Sequence, residues 1–176
     1  PSKGWILAFH PDLICGTVLG ANIRDYTFFS YRPEEALHVS LREKQVILEL
    51  LDKINEELQR CIDCYSQKII SKYIELLLDY CERFYERQFI TRNEANKKII
   101  ERFDRLLDDH FNTIQSQSYD LPTIEECVRV LRLSPAYFND LLEYETGKSY
   151  KEYLQFKRFE IAKEWLINTD KTLSQI

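Results

Sequence analysis

Few side chains in this chain stand in a pattern that could do chemistry, and most of those patterns resolve into something structural. Cys61-Ile62-Asp63-Cys64 is a single CxxC pair. A zinc site would need two further ligands at suitable spacing. Cys81 lies several helical turns further on, and the three histidines, His10, His38 and His110, are scattered. Redox chemistry places CxxC after a strand at a helix start, whereas this pair falls at the end of an expected helix. The histidines lack a serine, cysteine or carboxylate constellation that would make one of them a general base. The acidic pairs Asp108-Asp109 and Glu125-Glu126 read as solvated helix faces, and no glycine-rich phosphate loop is present. No catalytic residue, metal site or cofactor is therefore expected, and enzyme activity is not.

The more informative side chains lie between Ser134 and Lys151. Asn139 could pair with adenine, and Asp140 could accept from the cytosine amino group, if their helix lay in a major groove. The elements that would position them are well marked. Thr123-x-x-Glu126 and Ser149-x-x-Glu152 are capping boxes, and Ser134-Pro135 is an N-cap followed by proline at the first helical position. Each supplies partners to backbone N–H groups that a helix start leaves bare. Gly147 suits the left-handed residue that closes a helix. The spacing predicts a short helix, a tight turn at Leu131 to Ser134, a helix at Pro135 to Thr146, and a longer helix running to Asn168.

Two short helices across such a turn form a helix-turn-helix. Phe138, Leu141 and Leu142 fall at i, i+3 and i+4 and should face the core. Ala136, Tyr137, Asn139, Asp140 and Glu143 are then expected to look outward, where a groove-reading helix presents side chains to base edges. The helix dipole favours the sign of Asp140. Lys148, Lys151, Lys157 and Arg158 cluster about the start of the long helix and could form one phosphate-contacting edge.

These residues resemble a known family. Leu133-Ser134-Pro135-x-Tyr137-Phe138 followed by Glu145-Thr146-Gly147-Lys148-Ser149 is similar to the first helix-turn-helix of AraC/XylS-type bacterial transcription regulators. Glu152-Tyr153-Leu154, Arg158 and Ala162-Lys163-x-x-Leu166 resemble that family's linker helix. Asn168-Thr169-Asp170-x-Thr172-Leu173-Ser174-Gln175-Ile176 resembles the start of its second helix-turn-helix. The resemblance implies that Ala136, Asn139 and Asp140 occupy base-reading positions. It also implies an effector-binding β-barrel ahead of the DNA-binding half and control of the latter by a small molecule. The chain departs from the family where basic residues are common, with Asp140 at one such place and Glu143-Tyr144 at another.

The 176 residues carry a net charge of −5, and 44% are hydrophobic. That allows one ordinary domain or two small ones with a buried core. No apolar run approaches the length of a membrane span, and no leader pattern is visible. Five cysteines without a framework spacing, Cys15, Cys61, Cys64, Cys81 and Cys127, read as reduced thiols of a cytoplasmic protein. The absence of methionine and the start at Pro1 are expected of a piece of a longer protein. The acidic balance opposes strong non-specific DNA affinity, which phosphate contacts supply. From Tyr119 to Ile176 eight Lys and Arg stand against ten Asp and Glu, a formal −2.

Ahead of the helix-turn-helix, Trp5, Leu7 and Phe9 alternate with Ile6 and Ala8, which predicts a buried strand. The aromatic stretch from Asp25 to Tyr31 should pack under the helices that follow. Ser40-x-x-Glu43 caps a helix expected over Leu41 to Arg60, with Ile47, Leu51, Ile54 and Leu58 on one stripe. A second helix is expected from Tyr65 to Phe89, apolar over much of its circumference, including Ile70, Tyr73 and Leu77, and so suited to a partner chain as well as its own core. A third is expected from Asn93 to Ile114. Trp165 continues a core stripe with Leu154, Ile161 and Ala162. Gln115-Ser116-Gln117-Ser118 is the most linker-like stretch.

The expected fold is mainly α: a helical bundle or dimerisation segment, then a three-helix helix-turn-helix unit, with a short N-terminal β remnant. Residues 1–32 are assigned to the end of the effector barrel, 33–118 to the helical segment and 119–176 to the DNA-binding domain. The expected function is a sequence-specific DNA-binding regulator that reads the major groove with residues 135–146. Its partners would be double-stranded DNA at an operator or promoter, a second copy of the chain, and an effector held by the missing barrel. Its DNA contacts would be Ser134, Ala136, Tyr137, Asn139, Asp140, Glu143, Lys148 and Lys151. Its dimer contacts would be Ile47, Leu51, Ile54, Leu58, Ile70, Tyr73 and Leu77. The alternative is a helical module for homodimerisation or protein interaction that does not touch DNA.

Overall fold

The computed structural model describes residues 4–113 and 121–168. Among them lie eight α-helices and two 3-10 turns: α1 (Pro11–Ile14), α2 (Val18–Asn22), α3 (Leu41–Leu58), α4 (Ser66–Thr91), α5 (Asn93–Thr113), α6 (Ile124–Leu131), α7 (Pro135–Thr146) and α8 (Tyr150–Asn168), with the turns at Thr27–Ser30 and Pro33–Glu35. The mainly helical class is as expected. The linker at Gln115 to Ser118 and the start of a second helix-turn-helix beyond Asn168 lie outside the described residues.

The N-terminal strand is a correction. Gly4 to His10 adopts no regular structure, with Trp5 60% and Ile6 93% exposed. Leu7 and Phe9 are half-buried against a helical core instead. No second strand occurs among the described residues, so a strand there would have no ladder partner for its backbone groups. The alternation survives as one side laid on helices.

The described residues form two compact units, one of residues 4–29 and 36–90, the other of residues 30–35, 91–113 and 121–168. In the first, Ile14, Leu19, Tyr26, Ile54, Ile70, Ile74 and Leu78 make the core. Ser40 begins α3 with a full capping box: its hydroxyl accepts the Glu43 N–H, and the Glu43 carboxylate accepts the Ser40 N–H. Arg87 on α4 then pairs with the same carboxylate at 2.9 Å, which sets α4 antiparallel to α3. Gln67 and Ser71 on α4 donate to the carbonyls of Asp12, Leu13 and Cys15 at the end of α1. Gly20 of α2 sits so close to Ile14 that a Cβ would lie 2.1 Å from its carbonyl oxygen. Tyr26 is buried from the aromatic stretch as expected, its hydroxyl donating to Asp79 at 2.6 Å.

The second unit is built on Phe103 and Leu107 of α5, which are fully buried with Phe138 and Leu142 of α7. The Phe103 ring meets Phe138 edge-on at 4.9 Å and lies 5.6 Å from Tyr153 of α8. Such pairs add to the burial itself about 0.5–1.5 kcal/mol each. Polar bonds fix the register. Asn96 of α5 donates to Glu145 of α7 at 3.2 Å, and Tyr153 donates to Asp104 at 2.7 Å. The helix α5 therefore completes the three-helix arrangement of α6, α7 and α8.

Candidate nucleic-acid interface

Local chemistry starts and stops both halves of the helix-turn-helix. Thr123 and Glu126 cap α6 reciprocally, and Ser134 caps α7 with Pro135 at its first position. The turn between them is a Schellman closure. Arg132 takes the left-handed conformation, φ 60° and ψ 40°, and the Leu133 N–H reaches back to the Val128 carbonyl at 3.1 Å. Glycine usually fills that place, and an arginine there costs roughly 1 kcal/mol. Leu133 packs on the core as the companion apolar residue. At the far end Gly147, φ 67°, closes α7 with its N–H on the Glu143 carbonyl. Glu152 accepts both the N–H and the hydroxyl of Ser149 ahead of α8.

On α7 the inward face is as expected, with Phe138, Leu141 and Leu142 at no exposure. The outward face is more occupied than the periodicity predicts. Tyr137 is 4% exposed, because the ring of Tyr31 stands edge-on against it at 5.1 Å. Burial raises its phenol pKa, opposed by a hydrogen bond and charge from Arg92. Asp140 is half-buried and accepts the Tyr31 hydroxyl at 2.7 Å. Asn139 is half-buried too, its side-chain oxygen accepting the Tyr150 N–H at 3.3 Å and so helping to cap α8. Ser134 is 3% exposed; its N–H and hydroxyl donate to the Glu35 carboxylate at 2.7 and 2.5 Å. Ala136 is half-buried, and Glu143 is exposed.

Of the basic residues, Lys148 lies with its ammonium 5.0 Å from the Phe156 ring centre and reaches the Thr146 carbonyl. Lys157 pairs with Asp104 at 3.3 Å. Lys151 and Arg158 are exposed. Arg132 is exposed as well, in the turn three residues before the start of α7. Sequence reasoning overlooked it, since only a non-glycine left-handed residue marks it and no residue type announces that.

The thiols have plain roles. Asp63, between Cys61 and Cys64, accepts the N–H groups of Tyr65 and Ser66 at 2.8 and 3.0 Å and so caps α4, while both cysteines are exposed. Cys127 is buried against the Tyr150 hydroxyl at 3.3 Å. Among the seven expected dimer contacts, Ile54, Ile70 and Leu77 are buried in the first unit, Ile47, Leu51 and Tyr73 are half-buried, and Leu58 is exposed. Among the described residues no helix is long and apolar enough to cross a membrane.

A fold of this kind, a capped helix pair across a tight turn on a small aromatic core, defines a helix-turn-helix unit. The chain is distantly similar to a protein of that class. It is 26% identical over 97 residues to an uncharacterized HTH-type transcriptional regulator, YtdP, of Bacillus subtilis (strain 168). The match covers 54% of this chain and 13% of that protein's length. No family model matches the chain, and no solved structure does.

Proposed function

We propose that this chain is part of a DNA-binding transcription regulator of the AraC/XylS type, in which α7 enters a major groove. The observation that carries the reading is the α6–turn–α7 pair. Two short helices, each with its own cap, are joined through left-handed Arg132 and held by the fully buried Phe138 and Leu142. The distant similarity to a helix-turn-helix regulator supports it. In this reading Ala136, Asn139, Asp140 and Glu143 face the bases. Arg132 and Lys151, exposed on either side of α7 in sequence, hold phosphates. Lys148 contributes charge from its place over Phe156. A second copy of the chain would use Leu58 with the half-buried Ile47, Leu51 and Tyr73. Control by a small effector, held in a domain ahead of this one, rests on the family resemblance.

The net charge of −5, together with the internal bonds of Asn139 and Asp140, favours a second reading, a helical interaction module. Salt separates the two. Binding through about three phosphates falls about fortyfold between 50 and 200 mM salt, whereas apolar association does not fall. Duplexes selected from a random library would be titrated by fluorescence anisotropy at those two salt concentrations, with Lys151→Ala beside the wild type. The proposal expects the steep fall, and a salt slope shallower by about one for Lys151→Ala. Failure to enrich any duplex, or association insensitive to salt, would overturn it.

A further inference from the structure

Residues 30–35 belong to the same compact unit as α7 while lying about a hundred positions earlier in the chain. They touch α7 at three places spaced by three residues, along one side of the helix. Glu35, 4% exposed, places its carboxylate on the N–H and hydroxyl of Ser134. Tyr31 lays its ring against Tyr137 and its hydroxyl on Asp140. The segment is closed on itself by the Arg32 N–H donating to the same Glu35 carboxylate at 2.7 Å, with Pro33 between them limiting its freedom.

The chemistry of these contacts is the chemistry of a duplex. A helix start offers bare N–H groups and a positive dipole end, where an anionic oxygen settles. Phosphate oxygens take such donors when a protein docks on DNA. Glu35 presents an anionic oxygen to the Ser134 N–H. The Tyr31 hydroxyl presents to Asp140 the kind of donor that a cytosine amino group would offer in the major groove. We propose that residues 30–35 are an internal strap that holds α7 in a DNA-excluding state, Glu35 standing where a phosphate would bind and Tyr31 where a base edge would. The inference rests on α7 being a groove-binding helix. Strap and duplex compete for the same groups, so DNA affinity is reduced by the fraction of molecules with the strap open. A strap open about one time in ten makes its release worth about tenfold in affinity.

Two variants of the full 176-residue chain test this, with circular dichroism confirming that each is folded. Tyr31→Phe keeps the ring and removes the hydroxyl. Because it changes no charge, any gain in DNA affinity cannot come from general electrostatics. Glu35→Gln removes the anion and keeps the shape. Hydrogen exchange at the Ser134 amide reports strap opening, and anisotropy at low salt with a duplex selected from a random library reports binding. Faster Ser134 exchange in Glu35→Gln, with about tenfold tighter DNA binding in both variants, is the expected result. If the wild type binds and neither variant binds more tightly, residues 30–35 are a fixed cap on α7; the strap proposal fails and the DNA reading stands. If neither the wild type nor the variants bind at low salt, the DNA reading itself fails.

Discussion

Ser134→Ala should be the most informative single substitution in the second unit, because one hydroxyl does two jobs. It accepts the Tyr137 N–H at 3.2 Å as the cap of α7, and it donates to the buried Glu35 carboxylate at 2.5 Å. Loss of an N-cap costs about 1 kcal/mol. Loss of a hydrogen bond to a charged group costs about 1.5–3 kcal/mol. The sum is about 2.5–4 kcal/mol. Thr123→Ala on α6 is the internal control. Thr123 accepts the Glu126 N–H at 3.3 Å as an exposed cap, so its loss should cost about 1 kcal/mol. Urea denaturation followed by circular dichroism gives both values, and adding Glu35→Gln to each variant completes two double-mutant cycles. A coupling of about 1–3 kcal/mol is expected between Ser134 and Glu35, with none between Thr123 and Glu35. If Ser134→Ala costs no more than Thr123→Ala, or the Ser134–Glu35 coupling is zero, the Glu35 contact contributes nothing and the reasoning is refuted.

Arg132→Gly should raise stability by up to about 1 kcal/mol, since glycine takes the left-handed conformation without strain, while weakening DNA binding through loss of an exposed cation. A melt paired with an anisotropy titration checks both directions, and parallel changes would count against a phosphate role. Thiol labelling of the native chain near neutral pH should modify Cys15, Cys61 and Cys64 quickly, because they are exposed. Cys127 and Cys81 should react only on unfolding: burial raises the pKa of both thiols, that of Cys81 to about 11. Peptide mapping of the labelled sites decides it. The backbone N–H of Thr123, then its hydroxyl, hold the Glu126 carboxyl below its ordinary value. Its ionised cap therefore stabilises the fold fully above the unfolded pKa of about 4.3 and loses that contribution as pH falls through the folded value. The stability gap between wild type and Glu126→Gln should accordingly be open at neutral pH and close in acid; a gap constant with pH would contradict the assignment.

What could be read from the residues was what local chemistry determines. Ser40 with Glu43, Thr123 with Glu126, Ser134 with Pro135, and Gly147 each act on backbone groups within one turn, and α3, α6 and α7 begin where they predict. The apolar spacing of Phe138, Leu141 and Leu142 likewise identified the buried face of α7. Three features depend on distant partners and were not legible. The alternation at Trp5 to Phe9 is compatible with a strand, but a strand needs a neighbour, and Leu7 and Phe9 found helices instead. Tyr137 falls on the outward side by periodicity and is covered by Tyr31, more than a hundred residues earlier. Asn139 is claimed by the start of α8, eleven residues later. Arg132 illustrates a fourth limit: the turn demanded a left-handed residue, and no glycine or asparagine marked the position.

The most direct measurement is a titration of the isotopically labelled chain with a selected duplex, followed by backbone amide shifts in heteronuclear NMR. The largest shifts are expected on residues 132–143, across the α6–α7 turn and the N-terminal half of α7, with secondary shifts at Lys148 and Lys151 and in residues 30–35 as the strap gives way. Shifts concentrated on α3 and α4, with α7 unmoved, would contradict the proposed interface.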